Sequence, residues 1–166
     1  MLKHIYYAVI LIIRHHKEQA ELFMAKRAKN KYMGGTWQLV SGGIEPGETA
    51  WQAALREMWE ETQLVPVEFY RLSTLTTFYR PDNDTLNFGA MFCGVVPVDA
   101  AAVINSEHTA FAWVDVQKAD HKLMWPADVQ ALKEVQNTIL TDHIAKEYMR
   151  IAFEPSDIKK FGGRSI

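Results

Sequence analysis

The sequence has a single cysteine, Cys93, so the chain offers no partner for an internal disulfide bond. Cys93 lies inside the apolar run GAMFCGVV, where a thiol behaves as a small buried hydrophobic side chain. One unpaired, buried cysteine is typical of proteins from a reducing compartment. We therefore predict a cytoplasmic location.

The sequence also has no marked excess of positive or negative charge and no long hydrophobic run. Lys and Arg total 18 against 20 Asp and Glu, a net charge of −2, so a surface basic enough to bind a nucleic acid polymer is not expected. The apolar stretch at residues 5–13 is far shorter than the roughly 20 residues that cross a bilayer. Charged residues follow it at once, without a small-residue cleavage site, so we predict a buried strand and no membrane association.

The pattern of the remaining sequence predicts one mixed domain, as its length of 166 residues suggests. Helices are predicted at 48–62 and 126–141, with a shorter one at 142–152. Strands are predicted at 4–13, 21–28, 37–40, 67–80, 86–97 and 109–114. This order indicates an α/β (α+β) fold with a domain at 1–141 and a C-terminal helical extension and tail at 142–166 that packs on it.

The first helix carries an unusual concentration of negative charge within SGGIEPGETAWQAALREMWEETQL, residues 41–64. Glu57, Glu60 and Glu61 share one helical face, and like charges at this spacing destabilise a helix by about 0.2–0.5 kcal/mol per pair. A solvated acidic face paired with Arg56 is one interpretation. The alternative is a site for Mg²⁺ or Mn²⁺, which prefer carboxylate oxygens and bind phosphates.

The same stretch resembles the Nudix box, a motif of glycine, glutamates and arginine at fixed spacing. The matching positions are Gly42, Glu48, Arg56, Glu57, Met58, Glu60, Glu61 and Leu64. Gln63 departs from the motif, which usually has glycine there. That position ends the helix, where glycine adopts a left-handed conformation at little cost. Glutamine there implies either about 1 kcal/mol of backbone strain or a different exit from the helix.

The resemblance implies a Nudix-type α/β/α sandwich with a mixed β-sheet between helices, and hydrolysis of a diphosphate linkage with Mg²⁺ or Mn²⁺. It implies that Glu57, Glu60 and Glu61 are metal ligands and that Arg56 orients these carboxylates through a salt bridge.

The resemblance also assigns roles to the turn before the helix. The backbone of Gly42 and Gly43 would line the metal and diphosphate site. Glu48 would hold the geometry between loop and helix or join an outer metal shell. A simpler role for Glu48, complementing the helix dipole, is equally compatible with the sequence.

Two segments narrow the resemblance to bacterial dihydroneopterin triphosphate pyrophosphohydrolases: TWQLVSGGIEPGETAWQAALRE and residues 105–135. This implies a substrate that is a nucleoside triphosphate or resembles dihydroneopterin triphosphate, cleaved to pyrophosphate and a monophosphate. It implies that Glu107 is a general base or a further metal ligand; the alternative is a surface glutamate in the loop before a strand. Lys26 and Arg27 are adjacent on a strand, so only one of them can face a phosphate in this site.

Three alternatives stay open. The chain could hydrolyse another nucleoside diphosphate derivative, such as a dinucleotide or a nucleotide sugar, or be a non-catalytic Nudix ligand-binding module. An isopentenyl diphosphate isomerase needs a catalytic cysteine, and the position of Cys93 within a strand disfavours it. In each case the expected partner is a small di- or triphosphate, and a homodimer is possible.

An apolar stripe on the acidic helix is not explained by the resemblance. Trp51, Leu55 and Trp59 follow one another at four-residue intervals. The stripe could be buried against the sheet, covered by the C-terminal extension, or form a subunit interface.

Overall fold

The computed structural model describes residues 5–16, 19–154, 156 and 158. Within this part of the chain, seven strands form one mixed sheet. They are β1 Ile5–His16, β2 Gln19–Arg27, β3 Trp37–Gln38, β4 Val40–Gly43, β5 Glu68–Arg80, β6 Thr85–Val96 and β7 His108–Asp115. The strand order is β3-β2-β1-β6-β5, with β4 paired to β1 and β7 paired to β2. The pairing of β1 with β6 is parallel, and the other pairs are antiparallel.

Strand β1 forms the centre of the sheet and is buried on both faces, as its continuous apolar sequence predicts. Alternate side chains point to opposite faces. Ile10 and Ile12 belong to the hydrophobic cluster that contains the first helix, α1 (Ala50–Thr62). Leu11 and Ile13 belong to the cluster on the other face, with the second helix, α2 (Pro126–Glu134). The predicted α/β/α sandwich is therefore confirmed.

Helix α1 begins after Thr49, whose backbone N–H donates to Gln52 Oε1 at 2.9 Å. Its buried face includes the small side chains Ala53 and Ala54, which allow close packing on the sheet. The helix ends at Gln63 in the left-handed conformation, with φ 54° and ψ 17°. The conformation expected at the position where the Nudix box has glycine is therefore present, although the residue is glutamine.

The second predicted helix is not a single α-helix. Helix α2 ends at Glu134, and residues Val135–Ile139 continue as a π-helix. The Leu140 N–H donates to the Val135 carbonyl at 3.0 Å, which is the five-residue spacing of a π-helix. The third helix, α3, is shorter than predicted and spans Ala145–Met149.

Residues after α3 pack against the same side of the sheet as α1. The Ile151 N–H donates to the Phe69 carbonyl at 2.8 Å, and the Phe153 ring meets the Phe69 ring edge-on at 6.0 Å. Ile158 is buried in this cluster. Residues 155, 157 and 159–166 lie outside the described part of the chain. The division of the chain at residue 141 stays a prediction.

The apolar stripe of α1 lies in the hydrophobic cluster on this face of the sheet. Leu55 is fully buried, and Trp51 and Trp59 are half-buried against the cluster that also holds Ile151 and Phe153. The stripe and the C-terminal residues therefore belong to one hydrophobic cluster. Among the described residues, no helix has the length and apolar content needed to cross a bilayer.

Candidate metal and polyphosphate site

The turn between β4 and α1 brings backbone and carboxylate together. Gly42 pairs with Ala8 in the antiparallel register of β4 and β1, and faces α1. A Cβ atom built on Gly42 would overlap the carboxyl group of Glu57. By contrast, a Cβ atom on the adjacent Gly43 would meet no atom within 4 Å. Glycine at position 42 therefore makes the room in which the Glu57 carboxyl group lies.

Arg56 connects the turn to the acidic face of the helix and is almost completely buried. Its Nε and Nη2 donate to the two carboxyl oxygens of Glu48 at 2.9 and 3.0 Å. Nη1 contacts Glu57 at 2.6 Å and Glu60 at 3.2 Å, and Nη2 also donates to the Gly43 carbonyl at 2.8 Å. Burial alone would lower the pKa of this guanidinium, but the hydrogen bonds to Glu48 and Glu57 reverse the shift and raise it.

These contacts agree with the position predicted for Arg56 beside the carboxylates. They also place Glu48 where it joins the loop to the helix, because its Oε2 accepts from the Glu45 N–H at 3.0 Å. Glu48 precedes the helix cap, Thr49, and its carboxyl group is occupied by these donors rather than directed at free helix N–H groups.

Glu61 lies deeper than the other two helix glutamates, with only 5% of its surface exposed. Burial raises the pKa of its carboxyl group well above the ordinary value, and the charges of Glu57 and Glu107 raise it further. The pKa of Glu57 is raised as well, mainly by burial, although Arg56 opposes that shift. The site thus brings together more carboxyl groups than it has cations to pair with them.

Two residues from β7 and the loop before it complete the cluster. Glu107 accepts from Arg27 Nη1 at 2.6 Å, and its carbonyl accepts from the Ala28 N–H at 2.8 Å. His108 Nε2 lies 3.7 Å from Glu61 Oε2. Burial and the charge of Arg27 lower the pKa of His108, so its imidazole is neutral near pH 7 and brings Glu61 no positive charge.

The structure also separates residues that the sequence left undecided. Of the two adjacent basic residues on β2, Arg27 reaches Glu107, whereas Lys26 Nζ lies 6.0 Å from the Trp37 ring centroid. Cys93 is fully buried in β6, and burial raises the pKa of its thiol, which opposes a nucleophilic role. The contact of His108 with Glu61 was missed by the sequence reasoning, although His108 directly follows the candidate residue Glu107.

The donor chemistry of this cluster fits a divalent cation. Among the described residues, no group of three or more His, Cys, Asp or Glu side chains is already arranged around a metal position. Arg56 hydrogen-bonds one oxygen each of Glu57 and Glu60. Each carboxylate has a second oxygen, and hard oxygen ligands are those that Mg²⁺ and Mn²⁺ prefer.

Taken together, the α/β/α sandwich and the glycine turn that leads into an acidic helix define the Nudix class of fold and site. The family model described as NUDIX domain matches residues 4–135, which is more than half of the chain. The chain therefore belongs to the NUDIX domain family, and the resemblance found in the sequence is confirmed.

Individual named proteins and structures are also similar to the chain. The chain is 33% identical to the dihydroneopterin triphosphate diphosphatase of Escherichia coli strain K12, over 66% of this chain and 79% of that protein. The structure of the E. coli dihydroneopterin triphosphate pyrophosphohydrolase matches with a TM-score of 0.61 and 26% identity, over 83% of this chain and 100% of that chain. A Myxococcus xanthus protein named octanoyltransferase is also 33% identical, over 69% of this chain.

The match to the octanoyltransferase spans only 32% of that relative's length. By contrast, the matches to the diphosphatase and to its solved structure cover most or all of those proteins. Family and named relatives together confirm that the chain is a Nudix hydrolase of the pyrophosphohydrolase type. Nudix hydrolases generally use divalent metal ions.

Proposed function

We propose that this protein is a Mg²⁺- or Mn²⁺-dependent pyrophosphohydrolase. Its substrate is a nucleoside triphosphate or a compound similar to dihydroneopterin triphosphate, and the products are pyrophosphate and a monophosphate. The observation that carries this proposal is the cluster of Glu57, Glu60 and Glu61, whose carboxyl groups outnumber the cations that contact them. One guanidinium, Arg56, contacts two of these carboxylates and the third is buried beside a neutral imidazole.

The carboxylates of Glu57, Glu60 and Glu61 are the groups that would hold the metal. A bound divalent cation would neutralise phosphate charge and lower the pKa of water, which is the chemistry that hydrolysis of a phosphoanhydride needs. Burying a carboxylate without a partner is costly, so a cation at this cluster would also relieve the repulsion within it.

Side chains of the protein then position the reacting groups. Arg56 fixes Glu57 and Glu60 relative to the Gly43 carbonyl, so the acidic face is held against the turn. Arg27 and Glu107 form a partly exposed ion pair beside this acidic face. A substrate phosphate competes with Glu107 for Arg27, because both are anions that a guanidinium binds in the same way.

Once Arg27 turns to a phosphate, the Glu107 carboxylate is available as the general base. It removes a proton from the attacking water molecule while the water oxygen forms a bond to phosphorus. The bond between that phosphorus and the bridging anhydride oxygen breaks, and pyrophosphate leaves. No covalent intermediate with the protein is required.

Pyrophosphate release from a substrate panel tests this proposal. The panel contains dihydroneopterin triphosphate, nucleoside triphosphates, dinucleotides and nucleotide sugars, each with Mg²⁺, with Mn²⁺ and with a chelator. We expect turnover of at least one triphosphate that depends on the added cation and is lost in Glu61→Gln. Turnover confined to dinucleotides or nucleotide sugars would refute the substrate class, and no cation-dependent turnover of any compound would refute the catalytic role.

A further inference from the structure

Strand β5 is the last strand in the sheet order, and the first half of its outer edge is covered. Near its start, Tyr70 forms an antiparallel bridge with Arg150. Further along, the register of β5 with β6 shifts, and the Ser73 and Thr74 N–H groups donate to the carboxyl group of Glu134 on α2. Other parts of the chain therefore protect this half of the edge.

The second half of the edge, residues 75–80, is open. In the part of the chain that the structure describes, no hydrogen bond to the backbone of these residues comes from the side away from β6. An unpaired edge is a template for another strand, and proteins commonly protect such edges with charged residues or proline. Residues 75–79 have the sequence LTTFY, which contains neither and is rich in residues that favour strands. This part of β5 is therefore suited to pairing with a further strand.

The hairpin of β5 and β6 also exposes apolar side chains on the face of the sheet that carries α1. Leu75 pairs with Ala90, which packs in the cluster that contains α1. Because side chains alternate between faces, Tyr79 and its pairing partner Leu86 lie on the same face as Leu75. Leu75, Tyr79 and Leu86 are each more than half exposed, so α1 does not cover this end of the hairpin. Exposed apolar side chains beside an open edge are characteristic of a contact with another protein.

A second copy of the same edge is complementary to it in an antiparallel register centred on Thr77. In this register a two-fold axis passes between Thr77 and the partner's Thr77, and Leu75 lies opposite the partner's Tyr79. These side chains are on the α1 face in both copies, so the exposed apolar groups cover one another. On the other face, Thr76 lies opposite the partner's Phe78. The segment therefore has the self-complementary pattern that a two-fold interface requires.

The charges at the ends of this segment match in the same register. Arg80 lies opposite the partner's Thr74, and within each copy the Thr74 N–H and hydroxyl donate to Glu134 at 2.9 and 2.6 Å. Burial would raise the pKa of Glu134, but these donors lower it overall, so the carboxylate is charged at neutral pH. Arg80 is paired within its own copy only with the exposed Asp82, and exposed pairs contribute little to stability. The guanidinium can therefore exchange Asp82 for the partner's Glu134.

We propose that this protein forms a two-fold dimer in which residues 75–79 of β5 pair in antiparallel register with the same residues of a second copy. The pairing joins the two sheets into one and covers the open edge of each. The contact consists of one short pair of strands with their flanking side chains, so the dimer is a weak one whose population depends on protein concentration. The inference does not rest on the proposed function, because the candidate metal ligands lie on α1 and not at this edge.

Thr77 provides the test, because it is exposed in the single chain and faces itself across the proposed axis. Thr77→Lys places two positive charges opposite each other and Thr77→Asp two negative charges, so each should raise the Kd of the dimer more than about 10-fold. An equimolar mixture of the two variants should form a heterodimer at least as tight as the native dimer, since opposite charges then meet. Sedimentation velocity at a series of concentrations measures each Kd. Thr141→Lys, at an exposed position outside β5, is the matched control and should keep the native Kd.

Recovery of the dimer in the mixture would support the proposal and would show that both variants are folded. A native protein that stays monomeric at every concentration would overturn it. A native dimer that neither variant weakens would also overturn it, because the contact would then lie on another surface. A dimer that is lost in each variant and not restored in the mixture would refute the register centred on Thr77. None of these outcomes depends on whether the protein hydrolyses a phosphoanhydride.

Discussion

The carboxyl group of Glu57 occupies the volume that any side chain on Gly42 would need. The two residues are brought together by the pairing of β4 with β1 and by the packing of α1 on that sheet. The glycine of the turn and the glutamate of the helix therefore form one structural unit, and a change in the first should act through the second.

Gly42→Ala tests this unit. The added methyl group displaces the Glu57 carboxyl group from its place beside Arg56, so we expect metal-dependent turnover to fall more than about 10-fold. Gly43→Ala is the matched control, because a Cβ there meets no atom within 4 Å. Cation titration of both variants provides the measurement, and equal turnover in the two would show that the position of Glu57 is not important for activity.

Glu61→Gln should change stability and activity in opposite directions. The pKa of Glu61 is raised by burial, so its charged form costs folding free energy at neutral pH, and a neutral isostere should raise Tm. Turnover should fall more than about 100-fold, because the variant removes a proposed metal ligand rather than an outer partner. Glu147→Gln, on the exposed surface of α3, should change neither quantity. A lower Tm in Glu61→Gln would mean that the carboxylate stabilises the fold.

Arg56→Lys keeps the positive charge but loses the planar set of hydrogen-bond donors of the guanidinium. A single ammonium group cannot satisfy Glu48, Glu57 and the Gly43 carbonyl together, whereas the guanidinium does. We expect the free energy of unfolding to fall by about 2 kcal/mol, the usual cost of hydrogen bonds to charged groups. Urea denaturation measures it, with the exposed Arg80→Lys as the control. A loss no larger than in Arg80→Lys would contradict a structural role for the Arg56 contacts.

The local parts of the site could be predicted from the sequence, because helical spacing alone places Glu57, Glu60 and Glu61 on one face. The contact between Arg27 and Glu107 could not be predicted. Arg27 meets Glu107 only because β2 and β7 pair with Arg27 opposite His108, and strand register is set by packing between distant segments.

The fold likewise has elements that the sequence predicts and elements that it does not. The apolar sequence of β1 was enough to predict a buried strand. The motif left open whether Gln63 takes the left-handed conformation or the chain leaves the helix differently, and the structure shows the left-handed conformation. The π-helical continuation of α2 was not predictable, because it depends on how Val135 and Ile139 fill the core. Asp128 looked like an ordinary acidic residue in a first helical turn until the packing of α2 on the sheet showed that it is buried.

The burial of Asp128 predicts a pH dependence of stability. Its pKa is about 6 in the folded protein against an ordinary 3.8, so between pH 4 and 6 the folded state binds more protons than the unfolded state. The free energy of unfolding therefore falls as the pH rises through this range, by about 3 kcal/mol for this group. Asp128→Asn removes the contribution, so its advantage over the native protein in urea denaturation should be larger at pH 7.5 than at pH 4.5.

Asp142→Asn, at an exposed position, is the control and should differ from the native protein equally at both pH values. An advantage of Asp128→Asn that does not grow with pH would mean that the Asp128 carboxylate is solvated in the folded protein.

The C-terminal residues should contribute to the stability of the whole domain. Ile158 is 1% exposed and packs in the cluster that contains Leu55 and Phe69, so Ile158→Ala should lower the free energy of unfolding by about 3 kcal/mol. Ile144→Ala is the matched control, since Ile144 is 80% exposed and its loss should cost no more than about 0.5 kcal/mol. Urea denaturation of both variants makes the comparison.

Removal of residues 143–166 tests through tryptophan fluorescence whether the C-terminal residues cover α1. Trp51 and Trp59 are half-buried against the cluster that Ile151 and Phe153 help to form, so truncation should expose them and shift tryptophan emission to longer wavelength. An unchanged spectrum together with an unaffected Ile158→Ala variant would mean that the sheet alone covers the stripe. The C-terminal residues would then be dispensable for the fold, and the cluster would owe its stability to α1 and the sheet.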